Sequence, residues 1–123
     1  MLKIIRLELA RDEDFPEGSA RHGYEFVAPL NDEGRIDMEK FMAERERYRV
    51  LRFWGDEEHE TGHLVRLTGG AWAFHYKKAG DIDVEDEQGY RFQTHHFRPG
   101  EYVSIREPDG QMRTFRVARV KNL

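Results

Sequence analysis

The sequence predicts a mainly β fold, a small antiparallel β-barrel of about seven or eight strands with one short helix at about residues 37–47. Three features carry that reading. Turn signals recur through the chain, at residues 16–23, 31–34, 55–62, 68–70, 77–81, 85–89, 98–101 and 108–111. The runs between them are short and rich in β-branched and aromatic residues, the rhythm of a small barrel or sandwich rather than of alternating strands and helices. Within the runs apolar residues alternate with polar ones, which puts one set of side chains on a common interior.

The opening segment LKIIRLEL alternates apolar and charged residues. In HGYEFVAPL, Tyr24, Phe26, Ala28 and Leu30 share a face and Glu25 takes the other. The segment IDMEKFMAERERY reads as the one helix. Asp37 can cap it, Glu39 sits where the helix dipole favours an acid, and Met38, Phe41, Met42 and Arg45 form a narrow stripe that would lid one end of the barrel. The two methionines of that stripe are expected to fill core space. In AWAFHYK, Trp72, Phe74 and Tyr76 face one way, and Ala71, Ala73, His75 and Lys77 the other. The segment EYVSIRE buries Val103 and Ile105, then turns through Pro108, Asp109 and Gly110 into a strand carrying Phe115 and Val117, an antiparallel hairpin. After Val117 the apolar phase slips to Ala118 and Val120, which predicts a β-bulge.

One domain over 1–123 is expected, with about two-thirds of its unfolded surface buried on folding. Leu, Ile, Val and Phe supply only 28 residues, so the ordering entropy must be offset largely by the large rings of 8 Phe, 5 Tyr and 2 Trp. The absence of cysteine excludes disulfides, thiolate nucleophiles and sulfur-ligated zinc. No segment reads as a secretory leader or a membrane-spanning helix, so a soluble, cytoplasmic protein is expected. A formal net charge of −4 argues against a nucleic-acid partner, and the lack of a long apolar run against a membrane one. The basic stretch RERYRVLR is interleaved with Glu44 and Glu46 and reads as a solvated face.

Six histidines, His22, His59, His63, His75, His95 and His96, raise a metal question. HETGH at 59–63 has the outward form of a zinc-protease motif, but that motif needs a helix, and Gly62 with the preceding GDEE predicts a turn entering a strand. Adjacent histidines on a strand point to opposite faces, so His95 and His96 cannot chelate one ion. His96 is expected to be packed with its ring hydrogen-bonded, and His95 to be exposed. The acidic loop at 80–89 lacks the glycine and terminal glutamate of a calcium-binding helix–loop–helix. Only Ser19 and Ser104 could serve as serine nucleophiles, and no base lies in sequence reach of Ser104.

The segment FRPGEYVSI, followed by RTFRVARV, resembles the strand pair of ferredoxin-reductase-like flavin barrels, in which an arginine supports the flavin phosphates and a tyrosine and a serine approach the ring. The resemblance places Arg113 in the arginine's position, whereas Phe115 and Arg116 replace the two hydroxyl residues. It implies a flavin or nucleotide binder, the third of three readings. The first is a non-catalytic binding or interaction module without a cofactor, whose ligand surface is His75, Lys77, Arg91, Gln93, His95 and Arg98. Its partner is a protein or a small molecule, and it is a monomer or an edge-strand dimer. The second is a metal-binding protein or metal-dependent enzyme using His63, His75 and His96.

Overall fold

The computed structural model of the protein describes residues 2–44, 47–66, 72–76, 96–107 and 110–123, and the backbone alone at 90–92. Among the described residues eight strands are arranged in chain order: β1 (Leu2–Leu9), β2 (Ser19–Pro29), β3 (Arg49–Trp54), β4 (Glu60–Arg66), β5 (Trp72–His75), β6 (Tyr90–Phe92), β7 (Tyr102–Arg106) and β8 (Met112–Asn122). Each pairs antiparallel with the next, and β8 returns to β1, so the strongly curled sheet closes into a barrel. Between β6 and β7, Arg91 stands opposite Arg106. The expected mainly β barrel with a single short helix is what forms.

Alternation sorts the side chains as the sequence predicts. Tyr24, Phe26, Ala28 and Leu30 of the β2 run are buried, as are Trp72 and Phe74 of β5, Val103 and Ile105 of β7, and Phe115 and Val117 of β8. The interior is a chain of ring contacts. Phe74 lies 5.1 Å from both Tyr24 and Phe26, Tyr24 is 5.1 Å from Phe115, and Phe26 is 5.5 Å from Phe97, all tilted or edge-on. Such pairs contribute about 0.5–1.5 kcal/mol each beyond their area burial, which is how a chain poor in aliphatics holds a core.

The bulge is where the apolar phase slips. Arg6 pairs with Arg119 but Leu7 pairs with Val117, so Ala118 is the extra residue, and beyond it Val120 comes opposite Ile5. The hairpin is also as expected: Arg106 pairs with Met112, and Glu107 N–H donates to the carbonyl of Gln111. Its turn residues Pro108 and Asp109 lie outside the described residues.

The helix α1 (Met38–Ala43) is shorter than its sequence pattern, and the Asp37 side chain caps it by accepting from the Lys40 N–H. The chain leaves the helix at Glu44 so that Tyr48 can fold back, stacking on Phe41 at 5.4 Å with its hydroxyl donating to the Lys40 carbonyl. Phe41 also meets Trp72 edge-on at 4.8 Å, and this aromatic trio closes one end of the barrel. The expectation that Met38 and Met42 fill the core does not hold. Both are exposed, because six residues present only Phe41 inward.

One close approach depends on a missing side chain. A Cβ on Gly23 would sit 1.9 Å from the Leu7 carbonyl oxygen, so β1 and β2 bend together only where β2 carries glycine. On β3 Phe53 lies opposite Gly23, and the Arg6 guanidinium covers its ring at 4.3 Å. Gly23→Ala is therefore expected to overpack a backbone contact and to lower stability by about 1–3 kcal/mol, measured by urea unfolding. A neutral substitution would show that the seam has room.

Candidate functional site

The end of the barrel opposite α1 is closed by charge. Glu107, at the end of β7, is 5% exposed. Tyr24 donates its hydroxyl to Glu107 Oε2 at 2.6 Å, Arg52 Nη2 stands 3.3 Å from the same oxygen, and Arg113 Nε lies 3.2 Å from Oε1. The Arg113 Nε contact is an ion pair whose N–H is not aimed as a hydrogen bond. Alternation explains how these groups meet. Arg52 shares the inward phase of Val50, and Tyr24 that of Phe26, so a barrel whose rings fill its middle has to place inward polar residues at the mouth.

Both arginines are also held from outside. Arg113 Nη1 donates to Asp12 Oδ2 at 2.7 Å, and Nη2 to Asp14 Oδ2 at 3.1 Å. Arg52 reaches Glu60 at 3.7 Å and Glu57 at 4.0 Å, and its guanidinium lies 4.3 Å over the Trp54 ring. Burial alone would lower the Arg113 pKa, but bonds to Asp14 and Asp12 and the nearby Glu107 more than offset it, so it stays charged. Burial, then the Glu107 charge, raises the Tyr24 pKa well above its ordinary value and keeps the phenol a donor.

The loop between β1 and β2 plugs this end. Asp12 organises it, its Oδ1 accepting from the N–H groups of Asp14 and Phe15. Phe15 then lies 4.5 Å from the His22 ring, which meets Trp54 edge-on at 4.7 Å. His22 Nδ1 is 2.6 Å from Ser19 Oγ. The sequence did not foresee this serine–histidine contact; its signal was only the three-residue spacing at a strand start. Burial first, and then Arg21 and Arg52, lower the His22 pKa, so the ring is neutral near pH 7. The ring's place between Phe15 and Trp54 makes it part of the plug.

Beside the plug, on the outer face of β1, β8 and β7, runs an open groove of about 740 Å³. Its walls include Glu8, Arg11, Glu17, Tyr102, Thr114 and Arg116. Tyr102 stands opposite Arg116, and Arg116 opposite Glu8, so the three lie in one row across the sheet. Glu8 is paired with Arg6 at 2.8 Å, whereas Arg11 and Arg116 have no ion-pair partner among the described residues. Tyr102 is 58% exposed.

The sequence-predicted surface residues fall in several places. His75, on β5, stands directly opposite His63 on β4, and Arg91 on β6 is opposite Ala73. Lys77, Gln93 and His95 lie outside the described residues, as does the acidic loop at 80–89. Arg98 is exposed at the α1 end, against Gly34. His96 is half-buried and its Nε2 accepts from Arg35 Nε at 3.0 Å, the hydrogen-bonded ring that was expected. His59 is exposed just before β4, and HETGH is a strand entry, not a helix. Among the described residues no group of three or more His, Asp or Glu side chains gathers for a metal. Ser104 faces Thr114 at 3.4 Å. Arg113, matched to the flavin-phosphate arginine, is engaged by Asp12, Asp14 and Glu107, and Phe115 is fully buried.

Two outcomes are expected at this end of the barrel. Glu107→Ala leaves Arg52 and Arg113, only 14% and 11% exposed, without their shared counter-charge, and should cost about 3–5 kcal/mol in urea unfolding; a loss below 1 kcal/mol would mean the outer acids suffice. A histidine whose pKa is lower folded than unfolded binds protons more readily in the unfolded chain. Its contribution is complete above the unfolded value of 6.5 and is lost as pH falls from there through the folded value. His22→Asn should therefore flatten the decline of unfolding free energy below pH 6.5 relative to wild type, and parallel curves would contradict the burial of His22. The chain matches no protein-family model, no curated protein and no solved structure.

Proposed function

We propose that this barrel is a binding module and that its ligand occupies the groove along β1, β8 and β7. The observation that carries the reading is the convergence of an exposed tyrosine with two arginines that have no ion-pair partner among the described residues. Exposed rings give contact area at small entropic cost, and an arginine fork matches carboxylate and phosphate oxygens. The ligand this lining suits is a small molecule or peptide with a planar or apolar part and a negative group. Glu8 and Glu17 on the same walls select against a purely polyanionic partner, consistent with the acidic balance of the whole chain.

Every strand is hydrogen-bonded on both sides, which favours a monomer that engages its partner through side chains rather than through an open strand edge. The charged end is less suited to ligand binding, because the hydrogen bonds and ion pairs around Glu107 already engage its arginines.

Amide-detected NMR titration with phenyl phosphate and with a short acidic peptide tests the proposal. Shifts should concentrate at Ala10, Arg11, Ser19, Tyr102, Thr114 and Arg116, and Tyr102→Ala and Arg116→Ala should each weaken binding about tenfold, the effect of about 1.4 kcal/mol. Absence of shifts with both probes, or shifts confined to β3–β5, would refute the groove as the site.

A further inference from the structure

We propose that Ser19 and His22 form a nucleophile–base pair that hydrolyses an aryl ester carrying a carboxylate, with Ser19 Oγ as the nucleophile and His22 Nδ1 as its base. The proposal rests on the groove along β1, β8 and β7 as the binding site and adds a reaction to it.

The local backbone delivers Ser19 to the groove. Gly18, at φ 74°, turns the chain into β2, and a Cβ on it would lie 2.8 Å from the Leu9 carbonyl oxygen, so the residue before Ser19 is pressed against β1. Ser19 itself pairs with Leu9 and forms part of the groove wall. Three residues on, His22 sets Nδ1 2.6 Å from Ser19 Oγ, the separation at which a base takes a proton. Of the two serines that the sequence offers as nucleophiles, only Ser19 has an imidazole as its described partner, since Ser104 meets the Thr114 hydroxyl.

The imidazole is held in place by its neighbours. Phe15 lies 4.5 Å from its ring and Trp54 meets it edge-on at 4.7 Å, which limits how far Nδ1 can turn from Oγ. Burial, together with Arg21, Arg52 and Arg113 against Glu57, lowers the His22 pKa, and the ring is neutral near pH 7. With its one proton on Nε2, a neutral ring presents Nδ1 as an acceptor and the serine hydroxyl donates to it. Oγ also accepts the Arg21 N–H at 3.1 Å, a bond that favours the oxygen's negative form as the proton leaves.

The groove sets the substrate class. Exposed Tyr102 offers a ring face to an aromatic group, and Arg11 and Arg116 on the same walls match a carboxylate. An aryl ester suits a nucleophile–base pair because a phenolate leaves readily. Oγ attacks the ester carbonyl carbon while its proton passes to Nδ1; the bond from that carbon to the aryl oxygen breaks, and the phenolate takes the proton, leaving acyl-Ser19. Water then attacks the acyl carbon and gives a proton to Nδ1, the bond to Oγ breaks, and Oγ recovers the proton as the carboxylic acid departs.

The test exposes the untagged full chain to para-acetoxybenzoate, to phenyl acetate and to an alkyl fluorophosphonate, which traps an activated serine as a stable adduct with loss of fluoride. Phenol release is followed by absorbance and adducts are mapped by peptide mass spectrometry. The fluorophosphonate should label Ser19 and leave Ser104 unmodified, a wild-type readout that needs no variant to fold. His22→Asn should slow both labelling and phenol release about 100-fold, within the range of a general base, and the wild-type rate should rise with pH through a midpoint below 6.5. The carboxylate ester should react about tenfold faster than phenyl acetate, and Arg116→Ala should abolish that preference. No adduct on Ser19, or labelling undiminished in His22→Asn, would overturn the pair even where the groove binds phenyl phosphate. Labelling of Ser19 with equal rates for the two esters would instead overturn the groove as the substrate's site, and with it the carboxylate specificity.

Discussion

Closure of the sheet on itself is the constraint on which the rest of this structure depends. Once β8 pairs with β1, every strand residue belongs either to an enclosed interior or to an outer surface, and alternation leaves no third place. Aromatic rings occupy the interior at its middle and at the α1 end, where Phe41, Tyr48 and Trp72 meet. Farther along the same inward faces come Arg52 and His22, so the opposite end is enclosed by polar groups that must satisfy one another. Glu107 answers that demand, since its two oxygens draw in Tyr24, Arg52 and Arg113. A buried charge cluster of this kind is weak as a source of net stability, and its stronger effect is to penalise arrangements that leave a member unpaired.

Closure also separates structure from availability for binding. Groups directed inward are engaged, which is why the charged mouth is scaffold despite its content of chemistry-bearing residues. Among the groups directed outward, the row of Tyr102, Arg116 and Glu8 across β7, β8 and β1 stands out.

Period-two alternation in the sequence located most of the core. Trp72 and Phe74, Val103 and Ile105, and Phe115 and Val117 are buried as their spacing requires, and the slip after Val117 marked the bulge at Ala118. Local patterns of this kind are readable because each strand states its own faces. Two errors had physical causes. A helical pattern extending past Ala43 was cut short by Tyr48 returning to stack on Phe41, and with the helix went the burial of Met38 and Met42. Pairing across the sheet was not readable, because register is decided by turns and by close contacts such as Gly23 on Leu7. For that reason the meeting of His63 with His75, the Ser19–His22 contact and the groove around Tyr102 emerged only in three dimensions.

The β1–β8 seam is the most direct place to test this account. In solution, amide and α-proton Overhauser contacts should link Ile5 to Val120 and Leu7 to Val117, with Ala118 lacking a partner, and the seam amides should exchange with solvent as slowly as those between β1 and β2. Missing contacts across the seam, together with rapid exchange along β8, would show an open sheet. The division into engaged interior and available exterior would then fail.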